Sequence, residues 1–142
     1  MDLYELPAHD REAVITTLRK FYRGDENALK LALDLLFVGH LWDDLIDKDK
    51  PRTDDEINMA FTLAMADIPT NPYYPAVYPL LRNAICQWES ANALQGGSED
   101  ENLTAFLIRN SLMEIVHYLL FLVGGQDWIR QHGRDFWRFI GR

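Results

Sequence analysis

Residues 28 to 47 make a nearly unbroken apolar run at helical spacing, and Pro51 limits its extent because proline keeps the residue before it out of helical geometry. A segment of that length and period commits the chain to helix-on-helix packing. Elsewhere apolar residues recur at steps of three and four and no stretch shows sustained alternation, so the fold class is all-α. The 142 residues are 48% hydrophobic, which suits one domain with one sizeable core. The expectation is a single compact bundle of about six helices over residues 1–142.

Local signals set the expected boundaries. Val14, Leu18 and Phe21 stripe a first helix near residues 9 to 23, stopped by Gly24, and Asp25 caps a second that runs to about Asp47. Thr53 and Glu56 fit a capping box for a third, with Ile57, Phe61 and Ala64 facing inward. Four prolines between Ile68 and Pro79, interleaved with Tyr73, Tyr74 and Tyr78, read as a rigid aromatic connector. A fourth helix then runs to about Leu94 with Leu81, Ile85 and Trp88 inward. Ser98 and Glu101 open a long fifth helix to Val123, Gly124-Gly125 closes it, and a last helix runs from about Gln126 towards Ile140.

Charge and composition exclude several classes. A formal net charge of −8 opposes nucleic-acid binding, which needs a basic face to displace counterions. Cys86 is the only cysteine, leaving no intrachain disulfide and no cysteine zinc motif, so a reduced, cytoplasmic setting is expected. The N-terminus Met1-Asp2-Leu3-Tyr4-Glu5 has no signal-peptide pattern. The most apolar run, Leu112 to Val123, has 12 residues and carries Glu114 and His117. A bilayer span needs about 20, so no membrane segment is expected.

The second helix ends in Gly39-His40-Leu41-Trp42-Asp43-Asp44-Leu45-Ile46-Asp47. Acids at a helix C-terminus meet the negative end of the dipole and repel one another, each effect costing a few tenths to about 1 kcal/mol on an exposed surface. On a helical wheel His40, Asp43, Asp44 and Asp47 continue the sector held upstream by Leu29, Leu33, Leu36 and Phe37, a core face. Inward-facing carboxylates require a cation or a basic partner. Magnesium suits them, taking one or two carboxylates and leaving its other positions to water and phosphate. The other reading is a solvated helix end running into Asp49, Asp54, Asp55 and Glu56, with Lys48, Lys50 and Arg52 as counter-charges.

The pattern Asp43-Asp44-Leu45-Ile46-Asp47 resembles the first aspartate-rich motif, DDxxD, of the all-α isoprenoid (terpenoid) synthases. The resemblance covers this helix and the all-α character. It implies a bundle in which Asp43, Asp44 and Asp47 bind Mg2+ bridging to the diphosphate of a small molecule. In the family's second motif, ligands follow at four-residue steps; Asn110 and Glu114 match it, and Phe106 stands where a further ligand would be.

Asn110, Glu114 and His117 share one face of the most apolar segment and need polar partners if buried. Facing the first cluster, they would complete a mixed site with Glu114 as a further metal ligand and His40, Asn110 and His117 in supporting or proton-transfer roles. Glu114 and His117 also have the Glu-x-x-His spacing of di-iron bundles, of which one copy is found. The structural alternative pairs Glu114 with an arginine and leaves His117 a core histidine. Arg130, Arg134, Arg138 and Arg142 form a ladder at four-residue steps, a face for phosphate, for a protein partner or for a second copy of the chain. Two functions follow: magnesium-dependent binding or turnover of a diphosphate-bearing small molecule, or a non-catalytic helical interaction or assembly protein using its acidic and arginine-rich faces.

Overall fold

In the computed structural model, which describes residues 3–141, Asp25 starts helix α2 (Glu26–Asp47) by accepting from the backbone N–H groups of Asn27 and Ala28 at 3.0 and 3.1 Å. Its second carboxylate oxygen accepts from the Tyr73 hydroxyl, and burial together with that contact pushes the phenol up to about 12. One cap thus fixes both a helix start and a distant segment. Asn71 adds a second tie, donating from Nδ2 to the carbonyl of Asn27 at 2.9 Å.

The described residues are 85% helical with no strand, so the chain is all-α. Before α2 come a short 3-10 turn and α1 (Ala8–Phe21). After it come α3 (Asp54–Thr62), a π turn (Leu63–Asp67), the single turn α4 (Ile68–Thr70), α5 (Tyr74–Leu94), α6 (Glu99–Arg109) and α7 (Ser111–Ile140). Both capping boxes form: Thr53 with Glu56, and Ser98 with Glu101. The core draws Leu18 and Tyr22 from the first helix and its cap, Leu31 and Leu35 from α2, Val77 from α5, and Ile115, Leu119 and Phe136 from α7.

Two boundaries and one helix face differ from the sequence reading, while the expected break at Gly124-Gly125 is present. The segment expected as one helix from Ser98 to Val123 breaks at Asn110 (φ −87, ψ 23), which ends α6 and precedes α7. Nothing in composition signals this break. The tyrosine-proline stretch is largely helix: α5 starts at Tyr74, with Pro75 in the first turn where its missing N–H costs nothing, and Pro79 further in. The inward face of α3 is Ala60 and Leu63, whereas Phe61 is 57% exposed. The last helix joins α7 through Gly125, whose φ of 78 and ψ of −171 suit glycine alone.

Between Glu99 and Ile140 one window is apolar enough to cross a membrane by length and composition, with a mean hydropathy of 1.5. The backbone leaves helical geometry at Asn110 and Gly125, so its uninterrupted helix covers 111–124. At 1.5 Å per residue that is roughly 21 Å, and 28% of the apolar window is buried inside the fold. Ile115, Val116, Leu119 and Leu120 on this helix are buried in the core.

Candidate functional site

The end of α2 turns back on itself. Lys48 adopts the left-handed conformation (φ 58, ψ 31) and donates its N–H to the Asp44 carbonyl, so the chain reverses and brings Arg52 over the helix it has just left. Asp44 is 8% exposed. Its Oδ2 accepts from Arg52 Nε at 2.8 Å and Nη2 at 2.5 Å, while Nη1 donates to Glu56 Oε2 at 2.8 Å. The Arg52 hydrogen bond, then that from the Thr53 backbone N–H, holds Glu56 below the usual carboxylate range. The inward acid therefore has a basic partner within its own turn.

Asp43 points the other way, into a cluster of aromatic and basic groups. Its Oδ1 accepts from Trp88 Nε1 at 3.3 Å and lies 3.7 Å from Arg109 Nη1. Arg109 also donates to Asn92 Oδ1 at 2.7 Å and to Gln95. A continuous fifth helix would turn Arg109 aside; the break at Asn110 ends α6 on it and directs it to Asp43. Asp47 is exposed, and its carboxyl is raised by partial burial, then by the charge and hydrogen bond of Asp43, with Arg109 opposing. Asp49 comes in from the turn: oxygens of Asp43, Asp44 and Asp49 lie within 4.8 Å of one another. Asp49, absent from the expected ligands, thus joins two of them, while Asp47 reaches the group through Asp43.

Two oxygens on one magnesium are at most about 4.2 Å apart, given bonds of about 2.1 Å; around calcium they reach about 4.8 Å. Oxygens within 4.8 Å of one another are near enough for a hard cation to be shared among them.

Beside Asp43 lies a cavity of about 190 Å³. Leu35, Val38, Gly39 and Trp42 of α2 wall one side at helical steps, Leu81, Ile85 and Trp88 of α5 the other, and Leu112 and Arg109 close it. Trp42 and Trp88 meet with ring centroids 5.1 Å apart. Gly39 matters because a Cβ there would sit 2.4 Å from Leu112 Cδ1, where α2 and α7 converge. Both indoles stand out as core or interface groups in the sequence, and the α5 stripe is legible as inward-facing; their junction with Asp43 needs the tertiary fold.

The second cluster is assembled elsewhere. Glu114 and His117 line a separate cavity of about 230 Å³ with Asn83, Gln87 and Ser111, and none of the aspartates is in its lining. Ser111 donates to Gln87 and to the Ile108 carbonyl. Asn110 is exposed and donates back to the Phe106 carbonyl at 3.2 Å. His40 is half-buried on α2. His117 packs its ring against Trp137 and Phe136, with centroids at 5.2 and 5.9 Å, and Gly133 leaves room for it.

Burial lowers the His117 pKa from its ordinary value near 6.5. A depressed histidine favours the folded state above the unfolded pKa, and that contribution fades as pH falls through 6.5 towards the folded value. Stability should therefore drop as pH falls below about 6.5, and His117→Phe should flatten that slope. NMR titration of the ring should give a midpoint below 6.5; a midpoint at or above it contradicts the packing.

Arg130 and Arg134 are exposed and meet only nearby acids, Asp127 at 3.3 Å and Asp135 at 3.4 Å, while Arg138 follows on the same face. Such exposed pairs contribute little. Arg142 lies outside the described residues. Comparison with family models, curated proteins and solved structures gives no match.

Proposed function

We propose that the chain binds a small molecule with an apolar body and a diphosphate head, the head held by Arg109 and by Mg2+ on Asp43, Asp44 and Asp49. The observation that carries this reading is the double contact of Asp43 with Trp88 and Arg109, both of which also wall the apolar cavity. An acidic cluster, a guanidinium and an apolar recess therefore meet at one place, which is what an amphipathic phosphate ester requires. The resemblance of Asp43 to Asp47 to an isoprenoid-synthase motif points the same way, with Asp49 in place of Asp47 and without Glu114 or Asn110. A cytoplasmic setting goes with this reading, as magnesium and phosphate esters meet there.

Within the site, Arg109 supplies a fixed positive charge for phosphate oxygens, and the carboxylates hold the ion that offsets their repulsion from the head. The indoles of Trp42 and Trp88 exclude water around the apolar body.

Octyl diphosphate with magnesium tests the reading by thermal shift. At a hundredfold excess over Kd, stabilisation should be about 2.7 kcal/mol. Inorganic diphosphate should bind more weakly, since each buried methylene adds about 0.8 kcal/mol. Asp43→Asn with Asp49→Asn, or Arg109→Gln alone, should weaken binding at least tenfold, or about 1.4 kcal/mol. An unchanged melting temperature with octyl diphosphate and magnesium overturns the proposal.

A further inference from the structure

Helix α6 turns its apolar side outward. Ala105 is 3% exposed against the body of the protein, yet Leu103, Phe106 and Leu107 are 58%, 65% and 61% exposed. Those three lie at i, i+3 and i+4, the spacing of a packing stripe, and α6 packs mainly on α5 through its opposite side. The stripe begins beside an acidic first turn, Glu99, Asp100 and Glu101. A face that is apolar along its length and acidic at one end calls for a partner with cations at matching spacing.

The chain carries that counterpart itself. Arg130 and Arg134 project from the last segment of α7 with side chains 70% and 75% exposed, beside Trp137, which is 39% exposed. From Arg130 to Arg138 is eight residues, roughly 12 Å of helix, and from Glu99 to Leu107 is the same. Arginine suits this surface because its stem covers apolar groups, its plane stacks on a phenyl ring, and its fork pairs with carboxylate.

We infer that α6 of one molecule docks on the arginine face of α7 of a second copy, with Phe106 beneath the guanidinium groups and the acids of the first turn facing them. Pairing of α6 with its own copy would bring the acidic turns a single cation, Arg109, only 23% exposed, where the α7 face offers Arg130 and Arg134. An anionic membrane is disfavoured by the acidic turn. The two docking patches are different surfaces, so a single α6-to-α7 contact leaves one patch of each kind free on the pair. The assembly grows past two chains unless it closes into a ring.

Sedimentation at low and high salt tests the inference. At low salt the wild-type mass should rise with concentration to two chains or more, and the association should weaken at least tenfold at high salt. Phe106→Glu and Arg134→Glu should each be monomeric, with circular dichroism confirming the fold; Leu107→Glu repeats the α6 arm. Mixed in equal amounts, Phe106→Glu and Arg134→Glu should form a species of two chains and nothing larger, because each retains the patch the other lacks. A wild type that stays monomeric at low salt overturns the inference. So does an Arg134→Glu protein that still self-associates, which assigns the stripe to α6 pairing with α6, or a mixture that fails to pair.

Discussion

Arg52→Ala should unfold with a loss of about 3–5 kcal/mol, because it leaves the Asp44 carboxylate uncompensated in a nearly closed site. The two side chains are 9% and 11% exposed, so solvent replaces little of the lost pairing. Replacing both partners by apolar groups, Asp44→Leu with Arg52→Met, should come far closer to the wild type, since the cost lies in the stranded charge. Urea denaturation of the single and double variants measures both. Magnesium gives a second arm for the proposed site: with Arg52 gone, Asp44 would be freer to share an ion with Asp43 and Asp49, and added magnesium should restore part of the loss. A loss below about 1 kcal/mol would mean that water reaches Asp44 and that its partner is dispensable.

Phe136→Ala should cost a similar amount, about 3–5 kcal/mol, by emptying the point where the last segment of α7 meets α1. The ring is 0% exposed and meets Phe21 edge-on with centroids 5.3 Å apart, Tyr22 at 6.3 Å and His117 at 5.9 Å. Thermal denaturation should show a fall on the order of 10 °C for a domain of this size. Phe136→Leu should recover most of it, and the two differ in one readout besides stability. Opening a void beside His117 lets water in, so the histidine midpoint should climb back towards 6.5 in Phe136→Ala and stay low in Phe136→Leu. A melting temperature within a degree or two of the wild type would place Phe136 outside the packed interior.

The parts of this fold that local chemistry dictates are readable from the sequence. Asp25, Thr53 with Glu56, and Ser98 with Glu101 each satisfy orphan backbone donors within three residues, so the letters alone place those helix starts. Gly125 is equally plain, since its conformation is closed to other residues. What escapes is decided by geometry over longer distances. The break at Asn110 has no proline or glycine to announce it, and missing it hides the role of Arg109. The neutralisation of Asp44 depends on a left-handed turn at Lys48, a residue that local preference does not single out for that conformation. The aspartate triplet is visible as a pattern, but which acids converge follows from the reversal that carries Asp49 back, and Glu114 is parted from them because it lines a second cavity with Asn83 and Gln87 of α5.

The π turn at Leu63–Asp67 amounts to one surplus residue in an otherwise regular coil, pinned to α2 where Lys30 bridges Asp34 and Asp67. Excising a single codon there would let the coil relax to ordinary pitch, leaving the flanking turns close to register while re-aiming the side chains of the wide turn itself. Ala64, which walls the recess from within that turn, would be re-aimed beside Ile68. A length change of one amino acid, with no alteration in any acid, indole or guanidinium, would therefore reshape the chamber, making this turn the place where related chains can diverge in what they accommodate.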